Sequence, residues 1–178
     1  VKPVDRMSED QLYSTEAGFR QALNGIYVEL NHADLYGDEL LVNTVEILAQ
    51  RYKFSSMGTL TNQYHLAEFD YTTDYAKKCG SRIWEKAYAL IANVNKLLKN
   101  ADSHKDLFTG DSYDLITGEA YALRAFLHFD LLRLFGPVYK THKEDKSICY
   151  NTQFSLSGSD LLPASKVMEY VIADLKEA

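Results

Sequence analysis

The sequence has 178 residues and a formal net charge of −6. A chain of this length makes one domain and can bury roughly 70% of its unfolded surface, so it needs neither a disulfide nor a metal to hold a core. The negative charge disfavours nucleic acid and anionic membrane surfaces as partners, because both are themselves negatively charged. No uninterrupted stretch of eighteen apolar residues occurs, so no segment is predicted to span a membrane.

Neither end of the sequence carries the signals that usually mark the end of a domain. The chain begins at Val1 without a methionine or a signal peptide, and its first thirteen residues are expected to form an extended lead-in. It ends at Ala178 inside a predicted helix, with neither glycine nor proline to end that helix. We therefore expect the chain to be a fragment of a longer protein.

The first predicted elements are two helices that form a hairpin. Ser14 or Thr15 provides a polar cap for a helix near 15–31. Apolar residues recur in it every three or four positions, at Phe19, Leu23, Ile26, Tyr27 and Leu30. Gly25 lies inside this helix, where we expect it to allow a close helix contact. A second helix near 35–50 is predicted from the apolar residues Leu35, Leu41, Val45 and Leu48.

Residues 51–73 lose the helical spacing and are predicted to form an irregular loop. The segment is rich in aromatic residues, namely Tyr52, Phe54, Tyr64, Phe69 and Tyr71. Aromatic rings stack on the C–H faces of sugars and amides bond to hydroxyls, so Tyr64 with its neighbours Asn62, Gln63 and His65 forms a candidate saccharide site. The alternative is that the rings pin the loop to the helices, which is the commoner role for any single ring.

A long third helix is predicted near 73–100. Its broad apolar face comprises Ile83, Trp84, Ala87, Tyr88, Ile91, Val94 and Leu98. Trp84 is the only tryptophan and has the chemistry of a sugar platform, but its helical spacing predicts a core position. Asn93 and Asn95 face different sides of the helix, and one of them is expected to hold a loop by hydrogen bonding.

The fourth predicted helix, near 112–135, is expected at the centre of the fold. One apolar stripe contains Ile116, Ala120, Leu123, Leu127, Leu131 and Leu134, and a second contains Tyr121, Ala125, Phe129 and Leu132. Charged and polar residues remain only in the seams, with Glu119, Asp130 and Arg133 in one and Arg124 and His128 in the other. A helix with two stripes must be covered on two sides. Gly136 is predicted to cap it in the left-handed conformation, and Pro137 prevents its continuation.

The remainder of the chain is predicted to contain a second irregular loop and a fifth helix. Residues 139–160 are polar and aromatic without a clear period. A helix near 164–178 follows, with a stripe of Val167, Tyr170, Val171, Ala173 and Leu175. Five helices and no substantial sheet make the expected fold class all-α.

No catalytic or metal-binding constellation is present in the sequence. It lacks a glycine-rich phosphate loop, a nucleophile elbow and a His-Glu-x-x-His motif. Asp38 and Glu39 are adjacent and would face apart on a helix, unlike the carboxylate pair of a glycosidase. We interpret His128 as a packed residue rather than a base, and we expect no cofactor or metal. Cys79 and Cys149 permit one disulfide, but two separate buried thiols are the preferred interpretation.

Residues 119–136 resemble a helix of a known family. They read EAYALRAFLHFDLLRLFG and are similar to the E-A-x-x-L-R-A-x-x-x-F-D-L-x-R-x-F-G helix of the SusD family, which are glycan-binding outer-membrane lipoproteins of Bacteroidetes. Three further segments resemble the family in the same order, namely ALNGIY at 22–27, WEKAYALIANVNKLL at 84–98 and SKVMEYVIADLKEA at 165–178. The family usually continues with F-G-x-V-P, whereas Pro137 and Val138 stand in the opposite order here.

This resemblance implies a fold, a function and a location. The fold would be stacked antiparallel helix pairs of tetratricopeptide type with long irregular loops, and residues 1–178 would be the N-terminal helical domain of the protein. The function would be non-catalytic capture of an oligosaccharide at the cell surface, for delivery to a SusC-type TonB-dependent transporter. The full-length protein would be tethered to the outer membrane by an N-terminal lipid, whose cysteine is absent from these residues. The alternative is a helical-repeat scaffold that binds a protein or peptide.

Overall fold

The computed structural model describes residues 8–54, 58, 60–154 and 159–178. Within these ranges the regular secondary structure is helical, and the β pairing is limited to an isolated bridge between Lys146 and Pro163. The helices are α1 (Glu9–Leu12), α2 (Glu16–Leu30), α3 (Thr44–Leu48), α4 (Thr61–Ala67), α5 (Asp74–Ser103), α6 (Ser112–Phe135), α7 (Tyr139–His142) and α8 (Ala164–Glu177), with a 3-10 turn at Lys105–Leu107. The predicted all-α fold class is confirmed.

The chain divides into two compact units. The first unit combines the chain up to Ile26 with Leu90–Ala178, and the second unit is Tyr27–Ala89. The first unit therefore holds α1, α6, α7 and α8 together with the C-terminal part of α5. The second unit holds α3, α4 and the N-terminal part of α5.

Helix α6 contributes a long buried face to the core of the first unit. It packs against α8, and its first predicted stripe is buried at Ile116, Ala120, Leu123, Leu127 and Leu131. The second stripe is only partly covered, because Ala125 and Leu132 are buried while Phe129 is exposed. Arg124 and His128, which the prediction placed together in one seam between the stripes, are both buried. The two-sided covering of α6 is thus confirmed in part, and the burial extends to two polar residues.

The start of α2 agrees with the predicted cap. The Thr15 hydroxyl accepts a hydrogen bond from the Gly18 amide at 3.1 Å, which satisfies one of the amides that a helix start leaves without a partner. Before it, the predicted extended lead-in is interrupted by the single turn of α1, where Ser8 and Gln11 form a reciprocal capping box.

Residues 35–50 do not form the predicted second helix. Only α3 is helical there, and residues 31–43 are a series of wide turns in which the amides of Tyr36 and Glu39 bond to carbonyls six residues earlier. Gly37 is essential to this path, since a Cβ at this position would lie 2.4 Å from the Asn31 carbonyl oxygen. The apolar spacing predicted a helix here in error. One of the residues on which that prediction relied, Leu41, is exposed and does not join the core.

The two predicted irregular loops contain short helices. Seven residues of the first form α4, and four residues of the second form α7. Residues 55–57, 59 and 155–158 of these segments lie outside the described ranges. Short polar helices of this kind escape periodicity arguments because they span fewer than two turns.

Gly136 ends α6 by a different route from the predicted one. Its backbone is extended, with φ −84° and ψ 168°, rather than left-handed. Its amide bonds to the Leu132 carbonyl at 2.8 Å, and a Cβ at this position would lie 2.8 Å from Leu132 Cδ1. Close approach, and not a positive φ, is therefore the reason for glycine here.

The remaining predicted core residues follow the helical spacing. Ile83, Ala87, Ile91 and Val94 are buried on α5, while Trp84 is half-buried with its ring centroid 4.9 Å from that of Tyr88. Cys79 is a buried thiol and Cys149 a half-buried one, so the preferred interpretation of two separate thiols agrees with the structure.

Two glycines of α2 provide a matched test of this packing. Gly25 was expected to allow a close contact, but it is exposed and no atom of the described neighbours lies within 4 Å of an added Cβ. Gly25→Ala should therefore raise the free energy of unfolding by about 0.5–1 kcal/mol, because alanine favours the helix. A Cβ on Gly18 would lie 1.7 Å from the Leu12 carbonyl oxygen, so Gly18→Ala should destabilise the protein. Urea denaturation measures both effects, and equal effects of the two substitutions would contradict this packing.

Candidate functional site

The four predicted saccharide-contacting residues all lie on α4. Asn62 is exposed, and Gln63, Tyr64 and His65 are half-buried. Successive residues of a helix point 100° apart, so these four side chains spread around most of the helix. Only Asn62 and His65, which are three positions apart, share a side. The four residues are consecutive in the sequence, but the helix directs their side chains to different surroundings.

The inner side of α4 is fixed by a small apolar cluster. Leu66 and Ala67 pack with Ile47 of α3 and Ala76 of α5, and Leu48, Phe54 and Tyr75 border them. The Gln50 side-chain amide also donates to the Ala67 carbonyl at 2.6 Å. This cluster holds the short helix in place, since a helix of seven residues has little stability of its own.

The C-terminal end of α4 is held by a network of polar contacts. His65 Nδ1 lies 3.6 Å from Asp70 Oδ2, and the His65 ring meets the Tyr64 ring edge-on at 5.7 Å between centroids. The Asp70 carboxylate accepts hydrogen bonds from the Thr72 hydroxyl and amide, which lower the pKa of Asp70. The Tyr64 ring is therefore bordered by a histidine that is itself in contact with Asp70.

Three other aromatic residues of this segment face solvent. Tyr52, Phe69 and Tyr71 are 46%, 52% and 57% exposed. Tyr52 is fixed by a hydrogen bond from its hydroxyl to the Val42 carbonyl at 2.8 Å. Phe69 has a positive φ of 59°, a conformation that is rare for a bulky residue and that a tight turn imposes. This aromatic surface, defined here as Tyr52, Tyr64, Phe69 and Tyr71, offers apolar faces of the kind that sugar rings contact.

A buried polar network lies in the first unit, and the apolar spacing did not reveal it. Arg124 Nε and Nη2 donate to the two carboxylate oxygens of Asp174 at 2.6 and 2.7 Å. Arg124 Nη1 donates to Asn95 Oδ1 at 2.9 Å, and the Tyr150 hydroxyl donates to Asp174 Oδ2 at 2.6 Å. Burial and the hydrogen bond to Asp174 raise the pKa of Tyr150. The network joins α5, α6, α8 and the loop before α8.

The predicted role of one α5 asparagine is confirmed by this network. Asn95 donates from Nδ2 to the Asn151 carbonyl at 2.9 Å and so holds the loop, whereas Asn93 is exposed. The other members of the network could have been located from the sequence by one feature, namely a charged residue among the apolar residues of each of two helices, Arg124 on α6 and Asp174 on α8. Asp174 continues the buried series Ala164, Val167 and Val171 at helical spacing. A charged residue in such a series requires a buried partner.

His128 completes the network and its tautomer is defined by its partners. The Asn151 amide donates to His128 Nε2 at 3.0 Å, so Nε2 carries no proton and Nδ1 donates to the Arg124 carbonyl at 2.9 Å. The Tyr150 ring stacks on the imidazole at 3.8 Å between centroids. Burial lowers the pKa of His128 to about 4. A histidine held in this way serves packing, as the sequence indicated.

The second unit contains its own buried carboxylate. Glu39 accepts hydrogen bonds from the Thr44 hydroxyl and from Arg82 Nη2, each at 2.5 Å. Thr44 begins α3 and Arg82 belongs to α5, so Glu39 connects the turn segment to both helices. Burial, with Cys79 nearby, raises the pKa of Tyr75 to about 12. The Glu39 carboxylate thus has two hydrogen-bond donors within the protein.

The described ranges contain neither a candidate metal site nor a candidate membrane-spanning helix. No group of three or more histidine, cysteine or acidic side chains is arranged to hold a metal ion there. Among the same residues, no helix is both long and apolar enough to cross a bilayer.

Comparison with known sequences identifies one family. The profile of a SusD-like family, described as "Starch-binding associating with outer membrane", matches residues 4–177. SusD-like protein P2 of Formosa agariphila is 26% identical over 178 residues, which cover 99% of this chain and 33% of that protein. SusD-like protein P25 of the same organism is 26% identical over 138 residues, which cover 75% of this chain and 26% of that protein. The chain thus spans about a third or less of these relatives' lengths.

Comparison with solved structures agrees on the fold. A SusD superfamily protein from Bacteroides thetaiotaomicron matches with a TM-score of 0.71 and 22% identity, over 91% of this chain and 36% of that chain. A SusD superfamily protein from Bacteroides fragilis matches with a TM-score of 0.75 and 18% identity, over 93% of this chain and 39% of that chain. The shared architecture is helical and of tetratricopeptide type, as the sequence motifs implied.

The low pKa of His128 predicts a pH dependence of stability. The usual histidine pKa is 6.5, so between pH 6.5 and about pH 4 the unfolded chain binds a proton that the folded chain does not. The free energy of unfolding should therefore decrease as the pH is lowered from 6.5 to about 4, by about 3 kcal/mol from this group. His128→Asn should remove that part of the slope, and His142→Asn, at an exposed position, should retain it. Urea denaturation at a series of pH values tests this, and an unchanged slope in His128→Asn would contradict it.

Proposed function

The chain belongs to the SusD-like family, and from this premise we propose that the full-length protein binds glycans at the outer-membrane surface and delivers them to a SusC-type TonB-dependent transporter. The observation that carries the proposal is the family match, which extends over residues 4–177. The helical architecture supports it, because that architecture agrees with two SusD superfamily structures. Attachment to the membrane through an N-terminal lipid on the full-length protein is part of the same proposal.

The role proposed for this chain is to present the aromatic surface from a fixed helical support. Tyr64 would stack on a sugar ring, and the amides of Asn62 and Gln63 with the His65 imidazole would bond to hydroxyls. These side chains point to different sides of α4. A single sugar ring would therefore contact Tyr64 and one of its polar neighbours, rather than all four residues. Tyr52, Phe69 and Tyr71 extend the apolar area for a longer oligosaccharide.

The proposed function is binding without catalysis. Of the two buried carboxylates described above, Asp174 accepts from Arg124 and Tyr150, and Glu39 accepts from Arg82 and Thr44. Neither resembles a glycosidase carboxylate, which requires access to the substrate. His128 is likewise buried and bonded on both ring nitrogens. These residues support the fold, and the exposed rings are left to contact the ligand.

Isothermal titration of the full-length protein against a panel of starch-derived, plant, host and microbial oligosaccharides tests the proposal. One stacked ring contributes about 1 kcal/mol, so Tyr64→Ala should weaken binding about fivefold. Tyr139→Ala is the matched control, because Tyr139 is exposed and lies on α7 in the first unit. It should leave the affinity unchanged.

Two outcomes would change this assignment. Equal affinities for Tyr64→Ala and the wild type would remove Tyr64 from the site. The absence of binding to every glycan in the panel would contradict the proposed function and favour the alternative, a helical scaffold that binds a protein or peptide.

A further inference from the structure

A second exposed loop is held in place from beneath by buried side chains. We define the anchored loop as residues 150–154, which precede α8. The Asn151 amide donates to His128 Nε2 at 3.0 Å, and the Asn151 carbonyl accepts from Asn95 Nδ2 at 2.9 Å. The Thr152 carbonyl accepts from Arg124 Nη1 at 3.4 Å. Three backbone groups of two successive residues are thus bonded to side chains of α5 and α6.

The outward side of the same loop has the chemistry of a ligand contact. Thr152, Gln153 and Phe154 are exposed, and Phe154 retains 45% of its accessible surface. A hydroxyl, an amide and a phenyl ring therefore occur at three consecutive exposed positions of a loop whose backbone is anchored. Because the loop is ordered on folding, a ligand that binds to it need not bear the entropy cost of ordering it.

Phe154 is held in position by a cation on one side. Lys96 Nζ lies 4.5 Å from the centroid of the Phe154 ring and also bonds to Glu9 Oε2 at 3.0 Å. The hydrogen bond to Lys96 lowers the pKa of Glu9, which keeps this pair ionised. The ring therefore lies at the surface beside a cation, although exposure of its apolar area is unfavourable.

One polar atom of the loop also lacks a donor. Asn151 Oδ1 is buried and receives no hydrogen bond from the residues that the structure describes. Buried acceptors of this kind are nearly always bonded in folded proteins. The Asn151 side chain therefore keeps one acceptor unused in the loop.

We propose that the anchored loop is a second saccharide contact, separate in the chain from the aromatic surface around α4. Phe154 stacks on the C–H face of a sugar ring, while Gln153 and Thr152 bond to its hydroxyls. Asn95, Arg124 and His128 act as positioning residues, since they bond to the loop backbone and not to the ligand. This inference rests on the proposed function, because it assumes that the ligand is an oligosaccharide.

The chain offers a closely matched pair of phenylalanines for the test. Phe129 on α6 is 37% exposed and has the Arg133 guanidinium 5.7 Å from its ring centroid, so it shares the exposure and the cation of Phe154 without an anchored loop. Isothermal titration of the full-length protein with the best-bound oligosaccharide of the panel is performed on Phe154→Ala and Phe129→Ala. Phe154→Ala should weaken binding about fivefold and Phe129→Ala should not change it. Circular dichroism confirms that both variants retain the helical fold.

The outcomes separate this inference from the proposed function. If the wild type binds and Phe154→Ala binds equally well, the inference is overturned while glycan binding stands. If both phenylalanine variants weaken binding equally, the effect is not specific to the loop and the inference is again overturned. If the wild type binds no glycan, the proposed function fails and the inference fails with it.

Discussion

Arg124 and Asp174 form an ion pair that is almost entirely removed from water, and the first unit depends on it. Their side chains are 7% and 10% exposed, and two short parallel hydrogen bonds join them. Removing two charges from water costs several kcal/mol per ion, and only good geometry with further hydrogen bonds can offset that cost. Both conditions are met here. Tyr150 donates to the carboxylate, and Asn95 and the Thr152 carbonyl accept from the guanidinium.

The consequence of this pair extends from the core to the surface. Because Arg124 and Asp174 lie on α6 and α8, their pairing sets the relation of two helices that also share an apolar interface. Because Arg124 and Asn95 also bond to the loop backbone, the same residues determine the shape of the anchored loop. Glu39 has a comparable role within the second unit, where it connects a turn segment to α3 and α5. In each unit a buried carboxylate thus connects side chains from separate segments of the chain.

Long helices were predictable from the sequence because their apolar spacing is repeated over many turns. The bounds 112–135 predicted for the fourth helix agree with α6, and the third and fifth predicted helices agree with α5 and α8 within a few residues. The segment 35–50 was not predictable in this way. Its apolar residues fit a helical period, but Gly37 and the buried Glu39 favour wide turns. Side-chain bonds between distant residues decide such segments, and periodicity carries no information on them.

The candidate sites were likewise predictable only in part from the sequence. The aromatic composition of residues 51–73 left two interpretations open, a saccharide contact or rings that pin the loop to the helices, and Tyr52, Phe69 and Tyr71 are exposed. The helix α4 beneath the predicted contact residues was missed, so the divergence of Asn62 and Tyr64 could not be foreseen. The anchored loop was missed for a different reason. Its definition requires Asn95, Arg124 and His128 to converge on the backbone near Asn151, and only the folded chain brings them together.

A double-mutant cycle on Arg124 and Asp174 tests the central role of their pair most directly. The free energy of unfolding is measured for Arg124→Leu, Asp174→Leu and the double variant, with Arg133→Leu, from an exposed pair with Asp130, as the control. Each single change should cost about 3–5 kcal/mol because it leaves a buried charge without its partner, and the double variant should be several kcal/mol more stable than the sum of the single effects predicts. The control should cost less than about 1 kcal/mol. Additive effects of the two single changes, or a single cost as small as the control, would contradict this account.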